Sequence, residues 1–407
     1  MSRLNCTVSA SNDNNICLYF MIKTFRIYNN YSLDEAIKYS RKKGLSLHVV
    51  LIEPYEENQR NLDFFNRLTE DLLEKLSIYA EKVVRIKRPI DFNKLLVNVN
   101  SFFIDKTYLR FDLNIYEDLK RNSYNNNINL FTVESNVFVP VVEASNKEEY
   151  SARTIRNKIS SRLDDYKSEV LTKEDFTIAE KKAFDVLEDF VSNKLEKYDL
   201  HNDPSLDLTS LLSPYLKYGF ISPVTIYNKI IDIDSENKES FLEELIVRRE
   251  LAYNFVYFNS RYDNFSYMTY DWAYNTMSRH KMDKREYIYT KEDYINFRTH
   301  DPYFNAAMKE MVLLGRMHSY MRMYWCKKII EWSESYEKAF EIALELNNYF
   351  FLDGLTPNGY CGVAWCFGKH DRAWTERAIF GKLRYMNDNG LKRKFEIDKY
   401  VEKMNNI

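Results

Sequence analysis

The chain has 407 residues, enough for two or three domains at ~100–200 residues each, and 45% of it is hydrophobic, with 32 Tyr and 26 Phe. A single small module and a disordered chain are both excluded. Lys and Arg number 58 against 60 Asp and Glu, a net charge of −2, so any polyanion site must be a local patch.

The opening MSRLNCTVSASNDNN lacks the apolar core of a secretory signal, and no uncharged apolar run of about 18 residues follows, which predicts an intracellular soluble protein. Short apolar runs then recur: ICLYFMI at 16–22, LHVVLIE at 47–53, KVVRIK at 82–87, SFFIDK at 101–106 and INLFTV at 128–133. Between them, segments such as 33–43 and 61–80 have helical period, so the pattern predicts a buried parallel sheet of about five strands with crossover helices. The span 151–175 is polar and predicts one short helix and the interdomain connection. From about residue 176 long amphipathic segments take over, at 176–198, 222–231, 239–258, 290–297, 304–332 and 335–350. The expected architecture is an α/β domain over 1–145, a linker over 146–175 and an all-α domain over 176–407.

The five cysteines, Cys6, Cys17, Cys326, Cys361 and Cys366, form no C-x-x-C pair, and the six histidines form no H-x-x-x-H pattern, so no metal centre is expected. No Walker A loop or G-x-G-x-x-G motif follows a strand. Residues 317–332 place Met317, Tyr320, Tyr324 and Trp325 near Arg322, Lys327 and Lys328 on one helix. Such a surface stacks a flat cofactor or base beside cationic donors, and it reads equally as a core helix with a solvated basic face. In 352–395, Gly354, Gly359 and Gly362 fall close together. Arg372, Arg377, Lys382, Arg384, Lys392, Arg393 and Lys394 alternate there with aromatics, a local patch suited to phosphates.

The motifs EEYSARTIRNKI (148–159), LLSPYLKYGFIS (211–222), FLEELIVRRELAYNF (241–255), THDPYFNA (299–306), GRMHSYMRMYWCKKIIEW (315–332), LDGLTPNGY (352–360) and HDRAWTERAIFGKLRYMN (370–387) resemble, in order and spacing, those of class II cyclobutane pyrimidine dimer photolyases. The resemblance covers roughly residues 130–400. It implies a Rossmann-like antenna-type domain followed by a helical domain that holds FAD, with the dimer in double-stranded DNA flipped against the flavin and split by a light-driven electron. By motif, Asn358 would face flavin N5, and Arg322 would lie beside the isoalloxazine, paired with Asp353. Glu244, with Glu250 as second choice, would reach the dimer's base edge, and Met323 and Trp374 would pack on the flipped bases. Tyr198, Ser210, Leu212 and Ser213 would line the FAD phosphates and ribitol. Trp325 would relay electrons to the flavin, with Trp332 as a further donor, and Arg377, Lys382 and Arg384 would meet DNA phosphates. A monomer is expected, and the resemblance leaves the antenna pigment undetermined.

Several positions depart from that family's pattern. The outer relay tryptophan is Phe304, a far poorer electron donor. The S-N-L-S pattern reads Ser210-Leu211-Leu212-Ser213, L-H-F-G reads Leu216-Lys217-Tyr218-Gly219, A-D-N-F reads Ala252-Tyr253-Asn254-Phe255, and the aspartate before PN is Thr356. The alternative expectation is therefore a photolyase-derived protein with lost or impaired flavin chemistry that serves as a non-enzymatic DNA-binding or structural protein.

Overall fold

Six strands form one sheet in the order β1-β6-β5-β2-β3-β4: β1 (Leu4–Val8), β2 (Ile16–Met21), β3 (Ser46–Ile52), β4 (Lys82–Ile86), β5 (Val99–Asp105) and β6 (Asn129–Val133). This is a computed structural model of the chain, in which residues 2–170 and 176–407 are described. The expected linker falls partly on 171–175, outside the described residues. β2 pairs in parallel with β3 and β5, and the parallel ladder continues to β4 and β6. The interior strands read as continuous apolar runs because helices cover both faces; Leu18, Phe20, Val50, Phe102, Ile104 and Leu130 are all buried together. The sequence-based expectation misses β1, which joins antiparallel to β6 at the edge and is only part-buried, so its LNCTV carries no apolar run.

Strand order reverses between β5 and β2, the switch point at which open α/β sheets take their ligands. Here Asp105, the last residue of β5, accepts from the backbone N–H groups of Ile22, Lys23 and Thr24 at 2.9, 2.9 and 3.0 Å and from the Tyr19 hydroxyl at 2.8 Å. An internal carboxylate thus occupies the anion position at the carboxyl end of β2.

The chain folds as two compact units, each discontinuous in sequence: Met1–Asn146, Asn157–Asp189 and Leu211–Asp234 in one, and Lys147–Arg156, Phe190–Ser210 and Ser235–Ile407 in the other. The linear boundaries at 145 and 175 do not coincide with these units. Long-range hydrogen bonds draw the later segments to the sheet. Buried Arg26 donates to Gly219 O at 2.8 Å, Asn29 Nδ2 donates to Thr225 Oγ1 at 3.1 Å, and the Tyr218 hydroxyl meets Glu56 at 2.7 Å.

The second unit is helical. Its segment at 239–258 begins as Lys238–Leu242, widens into a π-helical stretch over Glu243–Arg248 and ends in α1 (Arg249–Phe258). Then come α2 (Asp271–His280), α3 (Pro302–Leu314), α4 (Ser319–Trp332), α5 (Tyr336–Phe350) and α6 (Pro357–Cys366). The expected single helix at 304–332 is two, because Gly315 takes a left-handed φ of 68° that ends α3 and His318 caps the start of α4. Apolar period runs on through MVLLGRM and hides the break. Among the described residues no helix is long and apolar enough to cross a membrane.

Candidate active site

α4, α6 and the turn between α5 and α6 bring the first group of side chains together. Arg322 Nη2 donates to both Asp353 carboxylate oxygens at 2.9 and 3.1 Å, and its Nε donates to Met317 O at 3.1 Å. Its guanidinium lies 3.9 Å from the centre of the Phe351 ring, and that ring meets Trp325 at 6.3 Å. Phe351 therefore links the ion pair to the predicted relay residue. Thr356 Oγ1 donates to Asp353 O at 2.9 Å and caps α6 by accepting from Gly359 N. Threonine thus serves as helix cap where the family pattern has aspartate, so this departure is locally compensated. Asn358, on the first turn of α6, has an exposed amide with no hydrogen-bond partner among the described residues. Met323 is half-buried on α4.

His318 adds a second polar group. Its Nδ1 accepts from Tyr320 N at 3.3 Å, which leaves Nε2 as the protonated nitrogen, buried with the His201 backbone as its hydrogen-bonding neighbour. Burial pushes the ring down to about 4, so it stays neutral. Glu244 projects from the π-helical stretch. Its side chain is 46% exposed yet recessed among protein atoms, and desolvation raises its carboxyl, opposed by Arg248 and His201. Neighbouring Glu243 is committed to Arg156 at 2.7 and 2.9 Å, and Glu250 is buried, which leaves Glu244 as the solvent-reachable acid of the three. Tyr198 is buried, stacked on His201 at 4.2 Å and packed against Phe190 and Phe241; burial and the Glu244 charge raise its hydroxyl.

A second cluster gathers around Arg384. Its guanidinium lies 4.2 Å from the Trp374 ring and 4.9 Å from the Trp365 ring, and it pairs with Asp371 at 3.1 Å. Asp371 also accepts from Trp374 Nε1 at 3.3 Å. Arg384 is thus tied to an internal carboxylate, unlike exposed Arg377, whereas Lys382 is half-buried. Trp365 escaped the sequence reading. Its signal is a spacing of seven from Asn358 on α6, which puts both side chains on one helix face.

Trp325 is buried, its Nε1 donating to Met308 Sδ at 3.0 Å. Phe304 is fully buried, with Trp332 at 5.2 Å and Tyr294 at 5.1 Å. Of the expected phosphate-side residues, Ser210 is half-buried in the helical unit. Leu212 and Ser213 belong to the sheet unit, where Leu212 is buried and exposed Ser213 opens the helix Ser213–Lys217. Other departures have partners of their own: Lys217 pairs with buried Glu56 at 2.5 Å, and the Tyr253 hydroxyl accepts from Arg249 at 3.0 Å.

The chemistry of these groups is compatible with a flavin: Arg322 supplies positive charge, and Asn358 presents an exposed amide on the first turn of α6. Among the described residues no three His, Cys, Asp or Glu side chains are placed to hold a metal ion.

No known family model matches the chain. It is 38% identical to the deoxyribodipyrimidine photo-lyase of Methanothermobacter thermautotrophicus, over 96% of this chain and 94% of that protein. It is 33% identical to the enzyme of the same name from Potorous tridactylus, over 95% of this chain and 81% of that one. In fold it is similar to a class III photolyase from Agrobacterium tumefaciens, with a TM-score of 0.72 at 17% identity over 98% of this chain and 88% of that one. A Synechocystis cryptochrome gives a TM-score of 0.74 at 13% identity, over 98% and 91%.

Proposed function

Because the chain belongs to the deoxyribodipyrimidine photo-lyase family, we propose that it repairs cyclobutane pyrimidine dimers in double-stranded DNA under light, as a class II enzyme that uses FAD. The observation that carries the reading is the Arg322–Asp353 pair, held between α4 and the turn before α6, with Asn358 presenting an exposed amide on the first turn of α6. When bound, FAD supplies the light-absorbing one-electron donor. Arg322, Asp353 and Asn358 would hold it, with Tyr198 and Ser210 as further contacts. The Arg322 charge favours a negatively charged ring, and the Asn358 amide donates or accepts without adding charge. Glu244 is suited to hydrogen-bond a base edge, because desolvation keeps its carboxyl more readily protonated than a free one. Met323 and Trp374 supply polarisable and aromatic surface for flipped bases, and Arg377 and Lys382 supply charge for the phosphates.

The class II assignment rests on the run HDRAWTERAIFGKLRYMN and the other motifs at their family spacing. The test is purification followed by flavin absorption, then loss of dimers from irradiated DNA in light and in darkness. Stoichiometric flavin with light-dependent repair is expected. Colourless protein that repairs nothing even with added reduced FAD would refute the proposal and favour a non-enzymatic descendant.

A further inference from the structure

Residues 374–382 form a small hairpin. Arg377 N donates to Gly381 O at 2.9 Å, Gly381 N donates to Arg377 O at 2.7 Å, and Trp374 N donates to Lys382 O at 2.9 Å. The hairpin carries Trp374, Arg377 and Lys382, and it leans on α2. Lys382 N donates to Thr276 Oγ1 at 2.9 Å, and a Cβ at Gly381 would lie 2.2 Å from that oxygen and 2.8 Å from His280 Cδ2, so only glycine allows the approach.

His280, the last residue of α2, joins the two elements. Its Nδ1 is 2.7 Å from Asp283 and its Nε2 is 2.9 Å from Glu376 on the hairpin, while Asp283 also accepts from Ile379 N at 2.7 Å. Carboxylates only accept, so both ring nitrogens donate at once only in the imidazolium; the neutral ring serves one partner and loses the other. The charged groups around the ring are these two carboxylates, with Arg279 and Lys382 acting on Glu376 and Arg285 acting on Asp283. Hydrogen bonds to Glu376 and Asp283 raise His280 above its ordinary value.

We propose that His280 is a positioning residue for DNA binding: as an imidazolium it latches the 374–382 hairpin to α2 and holds Arg377 and Lys382 in the arrangement that meets DNA phosphates. This rests on the DNA-repair reading above. A histidine raised by its partners keeps the latch closed in acid and at neutrality and loses it as pH rises through its elevated value. Opening the latch frees the hairpin and removes the imidazolium charge from Glu376, leaving its carboxylate to Arg279 and Lys382, and both effects weaken phosphate contacts.

The test uses the full chain and an undamaged duplex at constant ionic strength, from about pH 6 to about pH 9. Wild type is expected to lose about two- to fivefold in affinity over that range, the scale of a partly exposed ion pair. His280→Gln should start at the weaker value and stay flat. In a second measurement without DNA, trypsin should cut after Arg377 faster in His280→Gln than in wild type at one pH. Glu376→Gln, on the exposed side of the pair, should shift the wild-type profile to lower pH and guards against misfolding of the histidine variant. Parallel pH profiles for wild type and His280→Gln, or equal cleavage rates, would overturn the proposal. Faster cleavage with unchanged DNA affinity would overturn it differently, by showing a latch on a hairpin that does not bind DNA.

Discussion

Replacing Arg322 with Met isolates the ion pair at the centre of the site. The methionine keeps an apolar stem against Phe351 but removes two contacts to Asp353, at 2.9 and 3.1 Å, and one to Met317 O, at 3.1 Å. Removing one partner of a fully buried pair costs about 3–5 kcal/mol, because the other charge is left desolvated. Here the side chains are 29% and 14% exposed, so water recovers part of that loss and the expected cost is about 2–3 kcal/mol. Asp353→Asn supplies the second arm of a cycle, with an expected coupling of about 1–2 kcal/mol in the double variant. All five tryptophans, Trp272, Trp325, Trp332, Trp365 and Trp374, lie in the helical unit, so urea unfolding followed by tryptophan fluorescence reads that unit directly. Flavin content should fall alongside stability. A loss below about 0.5 kcal/mol, or strict additivity in the double variant, would show that the two residues do not act as a pair.

Phe304→Trp places a larger ring in a fully buried site against Trp332 and Tyr294, with an expected stability loss of about 1–3 kcal/mol and faster light-driven reduction of bound flavin; an unchanged reduction rate would rule out this route. Trp374→Ala should lower the preference for damaged over undamaged duplex by about 1–3 kcal/mol, and Arg377→Ala should weaken both and flatten the salt dependence by about 0.9 in slope; equal loss on both DNAs for Trp374→Ala would return that indole to a structural role. His370 donates from Nδ1 to Tyr150 O at 2.8 Å, its buried Nε2 has no partner among the described residues, and burial pushes the ring down to about 3. The unfolded chain therefore binds that proton first, and stability should fall as pH drops below about 6.5, by on the order of 1 kcal/mol per pH unit. His370→Asn suits the left-handed φ of 58° and should flatten this acid slope in equilibrium unfolding; an unchanged slope would assign the loss to other groups.

Periodicity exposes whatever is buried on both faces. β2, β3 and β5 are legible as apolar runs for that reason, and edge strand β4 keeps a readable Val83-Val84 and Ile86, whereas β1 exposes Asn5 and Cys6 in LNCTV and leaves no pattern. The two units are not legible as linear blocks, since the bonds that draw 211–234 to the sheet join residues more than 150 positions apart, some through the backbone oxygens of Gly219 and Tyr218 and others through the Asn29–Thr225 and Tyr218–Glu56 side-chain pairs. Charge is visible in sequence but its partner is not. Arg384 reads as a phosphate contact, yet Asp371 already holds it between two indoles. Trp365 and His318 are missed because their significance is a neighbour in space: a guanidinium for one, the His201 backbone for the other.

Asp105 has a consequence for the sheet unit's chemical traffic. Cells keep adenine and nicotinamide nucleotides abundant, and an open α/β crevice with unanswered N–H groups competes for them. In this chain the three N–H groups that a pyrophosphate would need at β2 are already answered by a fixed negative charge, so an incoming phosphate meets repulsion where it needs donors. The carboxyl end of β2 therefore offers none of these three donors to a phosphate.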